Sequence, residues 1–182
     1  MGVLSREVPV KRHELEHVLR AAGAVTDSSE LIVIGSQAIL AAVPEAPPAL
    51  LVSEEADLYV PGREDLSVLI DGTIGELSPF HQTFGYYGHG VGPTTATLPP
   101  GWEERLVELS NSNTNGVRGL CLSPLDIAYS KLAAGRPKDL AYCRELYRAN
   151  LVDSEAMHEL IEICQDSGQR ESLKQRWRLV FA

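Results

Sequence analysis

Glu55 and Asp57 stand two positions apart in the stretch Ser53-Glu54-Glu55-Ala56-Asp57-Leu58-Tyr59-Val60. In an extended chain that spacing puts both carboxylates on one face, while Ala56, Leu58 and Val60 point to the other. Two carboxylates on one face can share a divalent metal ion. Upstream, the apolar and β-branched run Leu31-Ile32-Val33-Ile34 reads as a buried strand and stops at Gly35-Ser36. Gln37 to Val43 then has the small, apolar look of a helix start. Gly35 lets the backbone approach a ligand closely, Ser36 offers a hydroxyl and an N-cap, and the first-turn N–H groups make an anion site. Strand, glycine turn and helix together suit a phosphate. Far downstream, Lys131 stands among Leu125, Ile127, Ala128 and Leu132 on a predicted helix. A lysine in such company needs a partner or a phosphate. Asp139 follows at the start of the next apolar helical run, where the helix dipole favours an acid. Arg136 and Lys138 precede it, either as cations able to meet a triphosphate or as exposed loop charges.

An apolar strand, Gly-Ser, a helix and then an acidic-x-acidic strand resembles the core signature of the polymerase-β-type nucleotidyltransferases. Gly35-Ser36 stands as the glycine motif and Glu55-Ala56-Asp57 as the metal-binding pair. A second segment, Ser123-Pro-Leu-Asp-Ile-Ala-Tyr-Ser-Lys-Leu-Ala-Ala-Gly-Arg-Pro-Lys-Asp139, resembles the "Ser-Lys-Leu, then Lys-Asp" segment of the toxin-type branch that includes the AbiEii and MenT proteins, and most closely a small DUF6036-like group within it. The two matches occur in the right order and cover roughly residues 30 to 145. The resemblance implies Glu55 and Asp57 as ligands of Mg²⁺ or Mn²⁺, with Lys131 and Asp139 as further catalytic residues. Gly35, Ser36, Arg136 and Lys138 are the implied nucleotide-binding residues. One departure stands out: the family usually carries Asp where this chain has Glu55. A third carboxylate on a neighbouring strand often completes such a site, and Glu108, between Val107 and Leu109, is the candidate.

These residues need a scaffold. Leu15, Val18, Leu19 and Ala22 give Lys11 to Ala24 a helical spacing that Gly23 is expected to close. Three prolines in Pro44-Glu-Ala-Pro-Pro48 rule out regular structure in the connection to the acidic strand. Glu64 to Ile74 reads as a helix. Phe80 to Thr97, rich in Gly, Tyr and Thr, reads as a loop or hairpin over the site, with His89 as an exposed loop residue or a base and with Tyr86 and Tyr87 as half-buried hairpin residues or a stacking surface. Leu98 to Trp102 is a turn, Trp102 being an expected core anchor. Arg105 to Ser110 and Val117 to Leu122 form an expected hairpin around Asn111-Ser-Asn-Thr-Asn-Gly116. Helices are expected over Pro124 to Ala134, Lys138 to Asn150, Ser154 to Gln165 and Glu171 to Trp177. The expected class is α+β: a small mixed-sheet nucleotidyltransferase core over 1–122 flanked by helices, and a helical part over 123–182 that closes the cleft as one unit with it.

Bulk properties set the outer bounds. With 182 residues the chain is of single-domain size. Its net charge of −9 argues against broad, non-specific nucleic-acid binding. Nine of the sixteen Lys and Arg residues nevertheless fall at or after Lys131, among them Arg144 and Arg148. Such a basic helical part can hold an RNA end or a triphosphate, or serve as solvated helix faces. Cys121, Cys143 and Cys164 are far apart, with neither a CxxC nor a nearby paired His, and read as reduced core residues. No apolar run reaches a membrane-spanning length and the start of the chain lacks an apolar leader, so a cytoplasmic protein is expected. Met1-Gly2 does not make a myristoylation signal, because Ser falls at position 5 rather than 6.

The expected activity is transfer of an NMP from an NTP to an acceptor hydroxyl, with Mg²⁺ supplying charge neutralisation. The resemblance adds the role of a toxin with a cognate antitoxin, and tRNA 3′ ends as the acceptor known for some relatives. Two alternatives stand beside it: a catalytically silent nucleotidyltransferase fold acting as a binding or antitoxin-like module, and a transferase that modifies a protein or small molecule.

Overall fold

The computed structural model describes residues 10–181. The N-terminal features weighed above, including Met1-Gly2 and Ser5, lie outside them. Helix α1 (Arg12–Thr26) buries Leu15, Val18, Leu19 and Ala22, the face set by their spacing. It runs through Gly23 instead of stopping there. A side chain at Gly23 would meet Val117 and the Ser28 carbonyl, so this glycine serves close packing. The turn out of the helix falls to Asp27 at φ 49°, a residue type that tolerates the left-handed region.

Strand β1 (Glu30–Val33) leads through Gly35 into a single 3₁₀ turn, Ser36–Ala38, and a short α2 (Ile39–Ala42). After the proline-rich connection comes β2 (Glu55–Tyr59), then α3 (Ser67–Ile74), α4 (Pro79–Phe84) and β3 (Tyr87–Gly90). The expected loop or hairpin over Phe80 to Thr97 is thus a helix followed by a strand. Ser78 caps α4 by accepting the His81 N–H, and Gly85 at φ 78° ends it, which frees Tyr87 to enter the sheet. Strands β4 (Val107–Leu109) and β5 (Arg118–Cys121) form the expected hairpin, with Asn111 capping the turn between them. Helices α5 (Pro124–Ala134), α6 (Pro137–Arg148), α7 (Ser154–Glu162) and α8 (Ser167–Val180) complete the chain. The last is twice the expected length because Asp166 caps it through the Gln169 N–H and Leu173, Trp177 and Val180 carry its buried face onward.

The five strands lie in the order β3-β2-β1-β5-β4. β1 pairs antiparallel with β2 and parallel with β5, and β2 pairs parallel with β3, so the sheet is mixed and the class is α+β. Helices α1 and α3 cover one face. Side chains at Gly119 and Gly88 would collide with Leu19 and with Ile74 and Val18, so small residues on the strands admit the helices closely. Across the other face lie α5 and α6, which share one continuous core with the sheet and end in a cavity above β1 and β2. All three cysteines are buried and free, as expected of core thiols, and burial raises Cys121 and Cys143 to about 12. Among the described residues no helix is long and apolar enough to cross a membrane.

Candidate functional site

The site begins with the strand alternation of β2. Ala56 and Leu58 are fully buried, so Glu55 and Asp57 turn to the opposite face and line a cavity of about 830 Å³. That volume is in the range of small-molecule and cofactor sites. Asp57 packs against the glycine turn: a Cβ on Gly35 would run into its carboxylate. The close approach that glycine permits here is therefore first of all that of an acidic side chain. Ser36 opens a 3₁₀ turn with Gly35 as its cap residue, and α2 has only four residues, so the helix start expected over Gln37 to Val43 is a 3₁₀ turn and one short helical turn. The Ser36 carbonyl accepts a 3.1 Å bond from the Tyr142 hydroxyl, which ties α6 to the glycine turn.

The parallel register of β2 and β3 sets Tyr87 beside Glu55 and His89 beside Asp57. Each pair is joined: the Tyr87 hydroxyl donates to Glu55 Oε2 at 3.0 Å, and His89 Nδ1 lies 2.8 Å from Asp57 Oδ1. One donor atom each of Glu55, Asp57 and His89 falls within 4.8 Å of the others, close enough to hold a metal ion together. Burial pushes the Asp57 carboxyl above the ordinary aspartate range, and the Glu55 charge adds to it; the His89 bond and the distant Lys131 charge only partly offset this. Burial works against a charged His89, but the bond to Asp57 and the charges of Asp57, Asp71 and Glu55 outweigh it and raise its pKa. Burial and the bond to Glu55 both push the Tyr87 hydroxyl upward, keeping it a donor.

Helices α5 and α6 supply the facing wall. Ser123 caps α5, and at the start of α6 the Asp139 carboxylate reaches back to accept the Arg136 backbone N–H at 3.2 Å, while the Asp139 N–H goes to the Arg136 carbonyl. Asp139 is 0% exposed. It also takes the Arg136 guanidinium at 2.6 Å and stands 3.5 Å from Lys131 Nζ. Burial alone would raise its pKa, yet Arg136 and Lys131 hold it below the usual range. The partner that a lysine among apolar neighbours requires is thus Asp139, and the ammonium also sits 5.2 Å from the centre of the Tyr142 ring.

The eight residues expected to act in catalysis, metal binding or nucleotide binding, Gly35, Ser36, Glu55, Asp57, Lys131, Arg136, Lys138 and Asp139, line a single cavity together with Tyr142, Arg144 and Arg148. Glu108 does not join them. It lies on β4, separated from β2 by β5 and β1, and pairs with Arg118 at 2.9 Å. Trp102 is only partly buried and packs at the margin of the core. Tyr86 turns away from the site and meets His17 at 2.8 Å. His89 and Tyr87, expected in a loop or hairpin, stand instead on a strand parallel to β2. The signal was the alternation Tyr87-Gly88-His89-Gly90: Gly88 and Gly90 abut Ile74 and Ser67 on the helix-covered face, leaving Tyr87 and His89 on the other.

A family model described as "Nucleotidyltransferase of unknown function (DUF6036)" matches residues 13–180. No curated protein and no solved structure shows a significant match to the chain.

Proposed function

The chain belongs to this nucleotidyltransferase family, and from that premise we propose that it moves an NMP from an NTP to an acceptor hydroxyl with the help of a divalent cation. One observation carries the reading: within a single cavity the carboxylates of Glu55 and Asp57 face Lys131, Arg136, Lys138, Arg144 and Arg148. Oxygen donors of paired carboxylates fit Mg²⁺ or Mn²⁺, and burial, with the Glu55 charge beside it, raises the Asp57 pKa as is common for carboxylates at functional sites. A bound cation would neutralise the phosphates and polarise the reacting phosphoryl group. Gly35 and Ser36 form the floor beneath the phosphates. Lys131, held in place by Asp139, and Arg136 attract the triphosphate from the helical wall. Asp139 acts here as the anchor of these cations and not as a free base, because its oxygens are already engaged.

The acceptor is proposed to be a tRNA 3′ end and the cellular role that of a toxin with a cognate antitoxin. Both rest on the resemblance of the Ser130-Lys131-Leu132 and Lys138-Asp139 segment to the toxin-type branch. A second reading, a nucleotidyltransferase fold that binds without transferring, draws on the engagement of Glu55 by Tyr87 and of Asp57 by His89. Incubation with each α-labelled NTP, Mg²⁺ or Mn²⁺ and total tRNA separates the two. Label passing to RNA with the wild type and not with Asp57→Ala supports transfer. Binding of NTP without any transfer to RNA, protein or small hydroxylated acceptors supports the silent module.

A further inference from the structure

We infer that His89 is a third ligand of the cation held by Glu55 and Asp57, and that its imidazole turns the site toward a first-row transition-metal ion such as Mn²⁺ in preference to Mg²⁺. The inference rests on the reading of the acidic pair as a metal site and goes beyond it in naming the third donor and the metal class.

Strand register supplies the first argument. β3 runs parallel to β2 with His89 opposite Asp57, so the imidazole emerges on the same face as the two carboxylates. Gly88 and Gly90 on either side of it are pressed against Ile74 and the Ser67 backbone, which fixes the strand that carries it. Distance supplies the second. Divalent ions bind nitrogen and oxygen donors at about 2.0–2.2 Å, so two neighbouring ligands of one ion stand about 3 Å apart. His89 Nδ1 and Asp57 Oδ1 are 2.8 Å apart. A separation that a proton bridges in this hydrogen bond is also one that a cation can bridge, with the neutral imidazole carrying its remaining proton on Nε2. The third argument is the outer partner. Tyr87 donates to Glu55 Oε2, a bond that orients one carboxylate oxygen and leaves the other for the ion. Such outer-shell bonds accompany built metal sites.

Donor chemistry then decides the ion. Mg²⁺ prefers oxygen and water, while imidazole raises affinity for transition metals. A set of two carboxylates and one imidazole therefore discriminates where two carboxylates alone do not.

The test uses the full chain without a histidine tag, loaded with Mn²⁺. Pulsed electron paramagnetic resonance of the bound ion is expected to show modulation from a directly coordinated nitrogen, lost in His89→Asn, which can keep a hydrogen bond to Asp57 but offers no imidazole. His89→Asn is expected to weaken Mn²⁺ binding by roughly tenfold or more, the lower range for loss even of an outer-shell partner, with Mg²⁺ affinity changed far less. Thermal melts of the apoproteins control for folding, and the nitrogen signal of the wild type needs no variant to be read. An all-oxygen Mn²⁺ environment in the wild type, or equal Mn²⁺ affinity in His89→Asn, overturns the inference. If Asp57→Asn abolishes Mn²⁺ binding in that case, the acidic-pair reading stands and only His89 is removed. If Asp57→Asn leaves Mn²⁺ binding intact, the acidic-pair reading fails as well.

Discussion

Asp57 and Asp139 border the same cavity, yet their pKa values move in opposite directions. Asp139 is fully enclosed, yet Arg136, its own helix start and Lys131 surround it, and its pKa falls. The side chain of Asp57 keeps 23% exposure, its closest charged neighbour on β2 is another carboxylate, and its pKa rises. Burial acts in the same direction on both; the difference lies in what each carboxylate has been given as a counter-charge. A satisfied buried carboxylate holds structure together. An under-neutralised one at the edge of a cavity is where a cation has something to gain.

The widest separation between the two comes from exchanging each for its amide. Asp57→Asn is expected to lower NMP transfer roughly a thousandfold, since loss of a metal-centred charge interaction amounts to several kcal/mol, while folding stability shifts by less than about 1 kcal/mol because the hydrogen bond to His89 survives. Asp139→Asn is expected to cost about 2–3 kcal/mol of stability, less than a wholly buried ion pair because Arg136 remains accessible to water. Urea denaturation alongside a labelled-NTP assay reads both. Equal stability losses for the two variants would erase the contrast.

Gly35→Ala probes the point where the glycine turn meets Asp57. The added methyl enters the space of the Asp57 carboxylate, and a stability loss of about 1–2 kcal/mol is expected from the overpacking. Transfer should fall further than stability does, because the displaced group is the proposed ligand. A variant with full activity would show that Asp57 need not sit against the turn. Tyr142→Phe cuts the bond between the two walls, to the Ser36 carbonyl. Its expected cost is about 1 kcal/mol, with KM for NTP rising more than kcat falls; a change in kcat alone would count against a tethering role.

The smallest effect is a difference of slope with pH, measured in chelator so that no metal intervenes. Asp139 is depressed in the folded chain, so its stabilising contribution is complete above the unfolded aspartate range and disappears as pH falls through its lower folded value. Asp57 is raised. Its ionisation opposes folding, and stability declines as pH climbs from the unfolded aspartate range through the raised folded value. Asp139→Asn should therefore flatten the strongly acidic limb of the stability curve and Asp57→Asn the mildly acidic one. Parallel curves for the two variants would mean that the charges around them do not differ as described.

Much of this was legible before any coordinates. The Leu31–Ile34 strand, the acidic alternation of β2, the hairpin around Asn111–Gly116 and both ends of α5 follow from short-range patterns: apolar runs, period-two alternation, turn residues, a Ser-Pro start and a glycine stop. Misplacements had physical causes as well. Gly23 looked like a helix end, but it is the place where Val117 crosses α1. Glu108 looked like a third acid because its strand was right, yet two strands stand between it and β2.

The sequence by itself determined which carboxylates share a face and which cations stand near a helix start, because side-chain direction along a strand and capping at a helix are properties of a few neighbouring residues. Only the tertiary structure decided that Tyr87-Gly-His89-Gly becomes a parallel strand beside β2, and that Lys131 and Arg136 converge on Asp139 across the cavity from the acidic pair. His89 and Asp57 are 32 residues apart. Parallel pairing over such a span has no local turn to announce it; it is selected by the packing of α3 and α4 between the two strands and by glycines small enough to let those helices come close.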